Sequence, residues 1–210
     1  MKIVNLRKII FLTTIPASFI FIINLAYFKY LLPKPNIILI TVDALRADHL
    51  GCYGYKRNTS PNIDKLSEEG TSFLGCFATS DTTISASPAL LTGRYLRVSS
   101  ASSSNFKNSL SHDNLLDKRF TTLAEYLKKF GYFTAAFLNN VLYGKGKGFE
   151  QGFDYYCTSW EGGSAEEITT KVLNFLKHYR NYKPFFIWLH YLDAHAPYRK
   201  VLAFRLLYAH

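Results

Sequence analysis

Asn36-Ile37-Ile38-Leu39-Ile40-Thr41-Val42 runs without a charge and ends directly on Asp43. The run is apolar and rich in β-branched residues, which predicts a strand buried on both faces, as in a parallel sheet covered by helices. In open α/β sheets reactive groups collect at the carboxyl ends of the strands. A buried strand that delivers a carboxylate to its tip invites a cation there, because an unpaired ionised group is costly. Read on this stretch alone, Asp43 is either such a site residue or an aspartate that caps a neighbouring loop.

The chain downstream supplies the partners such a strand needs. Ser60-Pro61 opens a helix over 62–69, with serine as the cap, proline at the first helical position and Gly70 as the stop. Thr122 and Glu125 form a capping box for a second helix, which ends at Gly131. Tyr132–Leu138 reads as a strand, and a helix from about Ala165 to Tyr179 places Ile168, Val172, Phe175 and Leu176 on one face. Pro184 breaks the chain before a further strand, Phe185–Leu192, which runs into Asp193-Ala194-His195. His195 is thus a second candidate at a strand end, with a satisfied loop histidine as the alternative. This alternation predicts a three-layer α/β domain. Ser99–Lys118 is polar and serine-rich and reads as an excursion, and no internal repeat is visible.

Upstream, Ile9–Phe28 carries no charge, and a helix of that length rises about 30 Å, the thickness of a bilayer's hydrocarbon core. Lys2, Arg7 and Lys8 precede it, and Tyr27 and Tyr30 lie at its far end. A cleaved signal peptide has a shorter apolar region and a small-x-small exit, whereas Ala26-Tyr27-Phe28-Lys29 is a poor cleavage site. Residues 1–8 are therefore read as a cytoplasmic basic start and 9–31 as a single transmembrane anchor, with the remainder outside the cytoplasm. Pro33-Lys34-Pro35 is a stiff linker. The net charge of +10, from 25 basic against 15 acidic side chains, raises a nucleic-acid partner. No helix gathers those cations on one face with stacking aromatics, so no nucleic-acid partner is expected. Cys52, Cys76 and Cys157 lack metal-type spacing, leaving one disulfide or three buried thiols as the readings.

Between the first two helices, hydroxyls are dense: Thr79, Ser80, Thr82, Thr83, Ser85 and Ser87. Ser87-Pro88 is expected to cap a short helix through Thr92, ended by Gly93. A helix start has free N–H groups and a partial positive charge suited to sulfate or phosphate. Taken alone, such a cluster is ordinary capping and turn chemistry.

Several of these stretches resemble one family, the sulfatases of the alkaline-phosphatase superfamily. Pro35–Tyr55 is similar to that family's opening strand and loop, and Thr59–Gly70, with Pro61-Asn62-Ile63-Asp64-Lys65-Leu66, to its next helix. Leu90-Leu91-Thr92-Gly93-Arg94-Tyr95 resembles the end of the nucleophile helix. Gly148-Phe149 with Gly152-Phe153-Asp154 resembles a later segment, and His190–Tyr198 the histidine loop. The resemblance covers residues 35–198 in order. It implies an alkaline-phosphatase-like sandwich with a mostly parallel central sheet, and a divalent metal: calcium, magnesium or manganese, with zinc as the alternative. It also implies a sulfate or phosphate ester as substrate. By position, Asp43 matches the first metal carboxylate, and His195 matches a catalytic-site histidine that contacts the anionic substrate. Thr83 matches the nucleophile, which also touches the metal. His190 and Asp193 are candidates for supporting roles, and Arg46 and Asp48 for supporting the loop.

Two departures matter. Many members carry a second aspartate where this chain has Ala44, one hard oxygen donor fewer. The sulfatase nucleophile is a Cys or Ser in a Cys/Ser-x-Pro-x-Arg pattern that is converted to formylglycine. Here the position reads Thr83-Ile84-Ser85-Ala86-Ser87. That resembles relatives that use threonine directly, such as phosphoethanolamine transferases and lipoteichoic acid synthases; Ser85 is a rival two residues on. The family's later Asp-His or Asp-Asn pair has no counterpart in 199–210, an atypical tail. The expectation is therefore a domain incomplete at its C-terminus, with the 210-residue product inactive and poorly soluble alone. The competing reading is a non-catalytic, membrane-anchored remnant.

Overall fold

The computed structural model describes residues 19–21, 34–95, 115–159, 164–179 and 183–196. The chain divides into two compact units, Met1–Pro35 and Asn36–His210. In the second unit four strands, β1 (Ile37–Val42), β2 (Phe133–Leu138), β3 (Tyr155–Thr158) and β4 (Phe185–Tyr191), form one sheet in the order β1-β4-β2-β3. Every pairing is parallel, with Leu39 opposite Trp188 and Ala136 opposite Trp188 on β4's other side. All four carboxyl ends therefore lie along one edge of the domain.

Helices α1 (Pro61–Glu69), α2 (Thr83–Thr92), α3 (Leu123–Lys129) and α4 (Ala165–His178) complete the described fold. Side chains alternate across a strand, and the sheet sorts them accordingly. Ala136, Leu138, Phe186 and Trp188 pack with Leu91, Ala124, Tyr143 and Phe149 on one face. Ala135, Phe137, Ile187 and Leu189 meet Ile168 and Val172 of α4 on the other. Helix, sheet, helix is the three-layer arrangement expected, with a parallel sheet at its centre.

The fully buried strands are β2 and β4, in the sheet's interior; β1 is not one of them. Ile38 and Ile40 are 49% and 55% exposed. They point to the face of α4, but α4 packs on β2 and β4 and leaves β1 uncovered. Only Ile37 and Leu39, on the opposite face, join the core. A continuous apolar run cannot by itself distinguish an interior strand from an edge strand with one open face.

Three local expectations are corrected as well. Ser60 precedes α1 but does not cap it with its side chain. Its hydroxyl instead accepts from Gly51 N–H and donates to Asp64, tying the loop after β1 to the helix. Helix α2 starts at Thr83 rather than at Ser87: the Ser85 and Ala86 N–H groups both donate to the Thr82 carbonyl, and Pro88 lies inside the helix. Gly93 ends it in the left-handed region at φ 64°. All three cysteines are free and none is fully buried.

The Thr122–Glu125 capping box forms in both directions. Gly152 lies against it, at φ +84°, where a Cβ would come within 2.3 Å of the Glu125 nitrogen. The glycine at this position thus lets two backbones touch. Among the described residues no helix is long and apolar enough to cross a membrane. The span expected over 9–31 lies outside them except for residues 19–21, as do residues 99–114 of the serine-rich stretch and residues 197–210.

Candidate active site

β1 delivers Asp43 beyond its last residue, and the Asp43 N–H donates to the Tyr191 carbonyl at 2.8 Å, so the carboxylate sits beside the end of β4. Its Oδ2 atom is the focus of the site. Thr83, the first residue of α2, donates its hydroxyl to it over 3.1 Å. Asn140, just past β2, donates from Nδ2 over 3.1 Å. The Nε2 atom of His190 lies 3.6 Å away. Together the His190 imidazole and the Thr83 hydroxyl hold the Asp43 carboxyl below the usual carboxylate range, against the opposing effect of burial.

His190 is held from three sides. Its Nδ1 is 2.9 Å from the Thr41 hydroxyl. Tyr143 packs edge-on to the ring, with centroids 4.7 Å apart, and Trp188 lies at 6.4 Å. Tyr143 is fixed in turn by a 2.7 Å hydrogen bond with Ser87 of α2, and burial pushes its phenol well above the usual value.

These groups border a cleft of about 770 Å³, whose lining includes Asp43, Ala44, Thr83, His190 and His195. The three residues expected to share a site, Asp43, Thr83 and His195, therefore do line one cavity. Ser85 does not line it, and Thr83 alone of the two hydroxyls reaches the carboxylate. His195 stands at the exposed rim. Asp193 points elsewhere: its Oδ1 accepts from the Ala165 N–H and fixes the start of α4. Arg46 grips Asp48 with two nitrogens, and His49 adds a third contact, an exposed loop brace away from the cleft.

Ala44 is the described non-glycine residue with positive φ, at 56°. A left-handed backbone disfavours a side chain with a Cβ, so the chain accepts strain immediately after its key carboxylate. Asn140, Thr41 and Tyr143 were not foreseen. The signal for Asn140 was available, since it follows β2 at the same sheet edge where Asp43 and His195 were sought.

Comparison with known proteins places the chain in a family. The profile of the Sulfatase family matches residues 35–203. The chain belongs to the Sulfatase family. An N-acetylglucosamine-6-O-sulfatase of Bacteroides thetaiotaomicron is 29% identical over 181 residues, covering 77% of this chain and 31% of that enzyme. The sulfatase-family chain thus spans about a third of that relative's length. A Vibrio parahaemolyticus protein of the alkaline phosphatase superfamily superposes with a TM-score of 0.62 at 24% identity, over 83% of this chain and 44% of that one. The periplasmic domain of a Campylobacter jejuni phosphoethanolamine transferase superposes at 0.54 and 18% identity, over 79% of this chain and 48% of that domain. At these identities the likeness is one of fold: the sheet of this sulfatase-family chain is an alkaline-phosphatase-like one.

Proposed function

We propose that residues 35–198 form a metal-dependent hydrolase or transferase site for sulfate or phosphate esters, with the Thr83 hydroxyl as nucleophile. The observation that carries this reading is the Thr83 hydroxyl, at the first position of α2, already hydrogen-bonded to the Asp43 carboxylate on the wall of the cleft.

The donor set fits a divalent cation. Asp43 supplies a carboxylate whose pKa is held low, His190 presents a buried ring nitrogen without a hydrogen-bond partner, and Thr83 adds a hydroxyl. When bound, the ion lowers the hydroxyl's pKa and offsets charge on the ester oxygens. Calcium, magnesium and manganese suit the oxygen donors; zinc suits the nitrogen. The start of α2 adds a partial positive charge for a tetrahedral anion, and His195 at the rim contacts that anion. Thr83 Oγ1 then forms a bond to sulfur or phosphorus while the bond to the leaving oxygen breaks, and the hydroxyl proton passes to water. Attack by water or by an acceptor alcohol on the covalent adduct returns threonine. Sulfate chemistry has the support of a relative named a 6-O-sulfatase, and phosphate chemistry that of a neighbour named a phosphoethanolamine transferase.

No group of three or more His, Cys, Asp or Glu side chains that could hold a metal ion occurs among the described residues. Single-turnover chemistry is the suitable readout, because it detects the covalent step without requiring repeated turnover. The chain is mixed with a divalent metal and an aryl sulfate, a phosphomonoester or a phosphodiester, quenched, digested and read by peptide mass spectrometry. A covalent sulfate or phosphate on the Thr83 peptide, absent in Thr83→Ala, is the expected result. An adduct on another residue, or one that persists in Thr83→Ala, overturns the assignment. No adduct from any ester favours the non-catalytic reading.

The anchor over 9–31 belongs to the same proposal and rests on the apolar run and its basic flank. Membrane fractions should retain the chain through alkaline carbonate and release it in detergent.

A further inference from the structure

The His190 ring is held by contacts that set which of its nitrogens faces Asp43. The Thr41 hydroxyl has one proton to donate and two lone pairs to accept with. The Trp188 indole N–H donates to it over 3.0 Å, and the hydroxyl donates to the Leu189 carbonyl over 3.1 Å. One lone pair is left, and it faces His190 Nδ1 at 2.9 Å. Nδ1 therefore donates to Thr41, and Nε2 is the nitrogen left to face Asp43.

Nε2 faces the site. The His190 side chain is 4% exposed, and Nε2 is buried without a hydrogen-bond partner. A buried polar atom left unsatisfied is costly and calls for an explanation. Nε2 stands 3.6 Å from Asp43 Oδ2. With metal–ligand bonds of about 2.0–2.2 Å, two ligands of a tetrahedral ion lie about 3.3–3.6 Å apart. An imidazole that gives its other N–H to a fixed acceptor is the usual arrangement of a ligating histidine.

We propose that His190 Nε2 is a direct ligand of the cation held by Asp43, and that it biases this site toward zinc or manganese over calcium. The inference rests on the reading above that Asp43 holds a cation. Thr41 is a positioning residue: its hydroxyl meets Nδ1 and sets the angle of the ring. A nitrogen donor here replaces the oxygen that Ala44 does not supply, and borderline metals accept imidazole where calcium prefers oxygen.

The test uses the full chain, stripped of metal with a chelator and titrated calorimetrically with zinc, manganese and calcium. His190→Gln should weaken zinc binding at least about tenfold, and Thr41→Val about tenfold, with calcium affinity changed less than about threefold. Zinc should also shift the Nε2 resonance of His190, rather than Nδ1, in ¹⁵N spectra of the unmutated chain. That readout decides the matter if a variant does not fold. If Asp43→Asn abolishes zinc binding while His190→Gln binds normally and Nε2 does not shift, the inference fails and the reading of the site stands. If Asp43→Asn binds all three ions as tightly as the unmutated chain, the cation site itself is wrong and both readings fall.

Discussion

At the scale of single residues, the site is an economical crossing of distant positions on one oxygen atom. Asp43 Oδ2 accepts from Thr83 and from Asn140, a residue 97 positions away. Replacing Asn140 by alanine removes one of the two donors that aim the carboxylate. About tenfold weaker metal binding is expected, measurable by the same calorimetry. Ala44 offers the opposite case. Its φ of 56° costs about 1 kcal/mol for a residue with a Cβ. Ala44→Gly should therefore raise the free energy of unfolding by about 1 kcal/mol in denaturant titration. Asp43 and His195 were legible in the sequence because each follows an apolar run, whereas Thr83 came from the resemblance, counted back from Thr92-Gly93. Asn140, Thr41 and Tyr143 were not, since their roles depend on which strands become neighbours, and no local pattern carries that.

At the scale of elements, local chemistry predicted where helices begin wherever capping is decided within a few residues. Thr122 accepts from the Glu125 N–H at 3.1 Å, and Glu125 accepts from the Thr122 N–H at 2.8 Å. Loss of the cap in Thr122→Ala should cost about 1 kcal/mol in chemical denaturation. Gly152→Ala should cost more, about 3 kcal/mol, because the new methyl meets the backbone of α3 and the backbone is left-handed. The failures at this scale share a cause. Ser87-Pro88 has the look of a helix start, yet α2 already begins at Thr83, with the Ser85 and Ala86 N–H groups on the Thr82 carbonyl and Pro88 inside the helix. β3, only four residues long, lacked enough periodicity to be seen, and pairing with β2 alone makes it a strand.

At the scale of the whole molecule, stability should respond to acid through Asp154. Burial pushes its carboxyl upward, but the Lys128 ammonium and the Thr134 N–H and hydroxyl outweigh burial and hold it below its ordinary value. A carboxyl lowered in the folded state stabilises the fold fully above its unfolded pKa, about 3.9, and that contribution disappears as pH falls through the folded value. Urea midpoints measured from pH 6 down to pH 3 should fall more steeply for the unmutated chain than for Asp154→Asn. The parallel sheet and its two covered faces were foreseen from strand–helix alternation. The order of strands was not, since β4 inserts between β1 and β2 late in the chain. That insertion has a consequence for the end of the sheet that borders the cleft. Among the described residues, the strand that carries Asp43 is sewn to the domain along a single seam, its hydrogen bonds to β4, whereas β2 and β4 are each sewn on both sides. Amide protons of β1 should exchange with deuterium well before those of β4. An opening that reached the end of β1 would draw the carboxylate away from Thr83, so the cleft is only as durable as that one line of stitches.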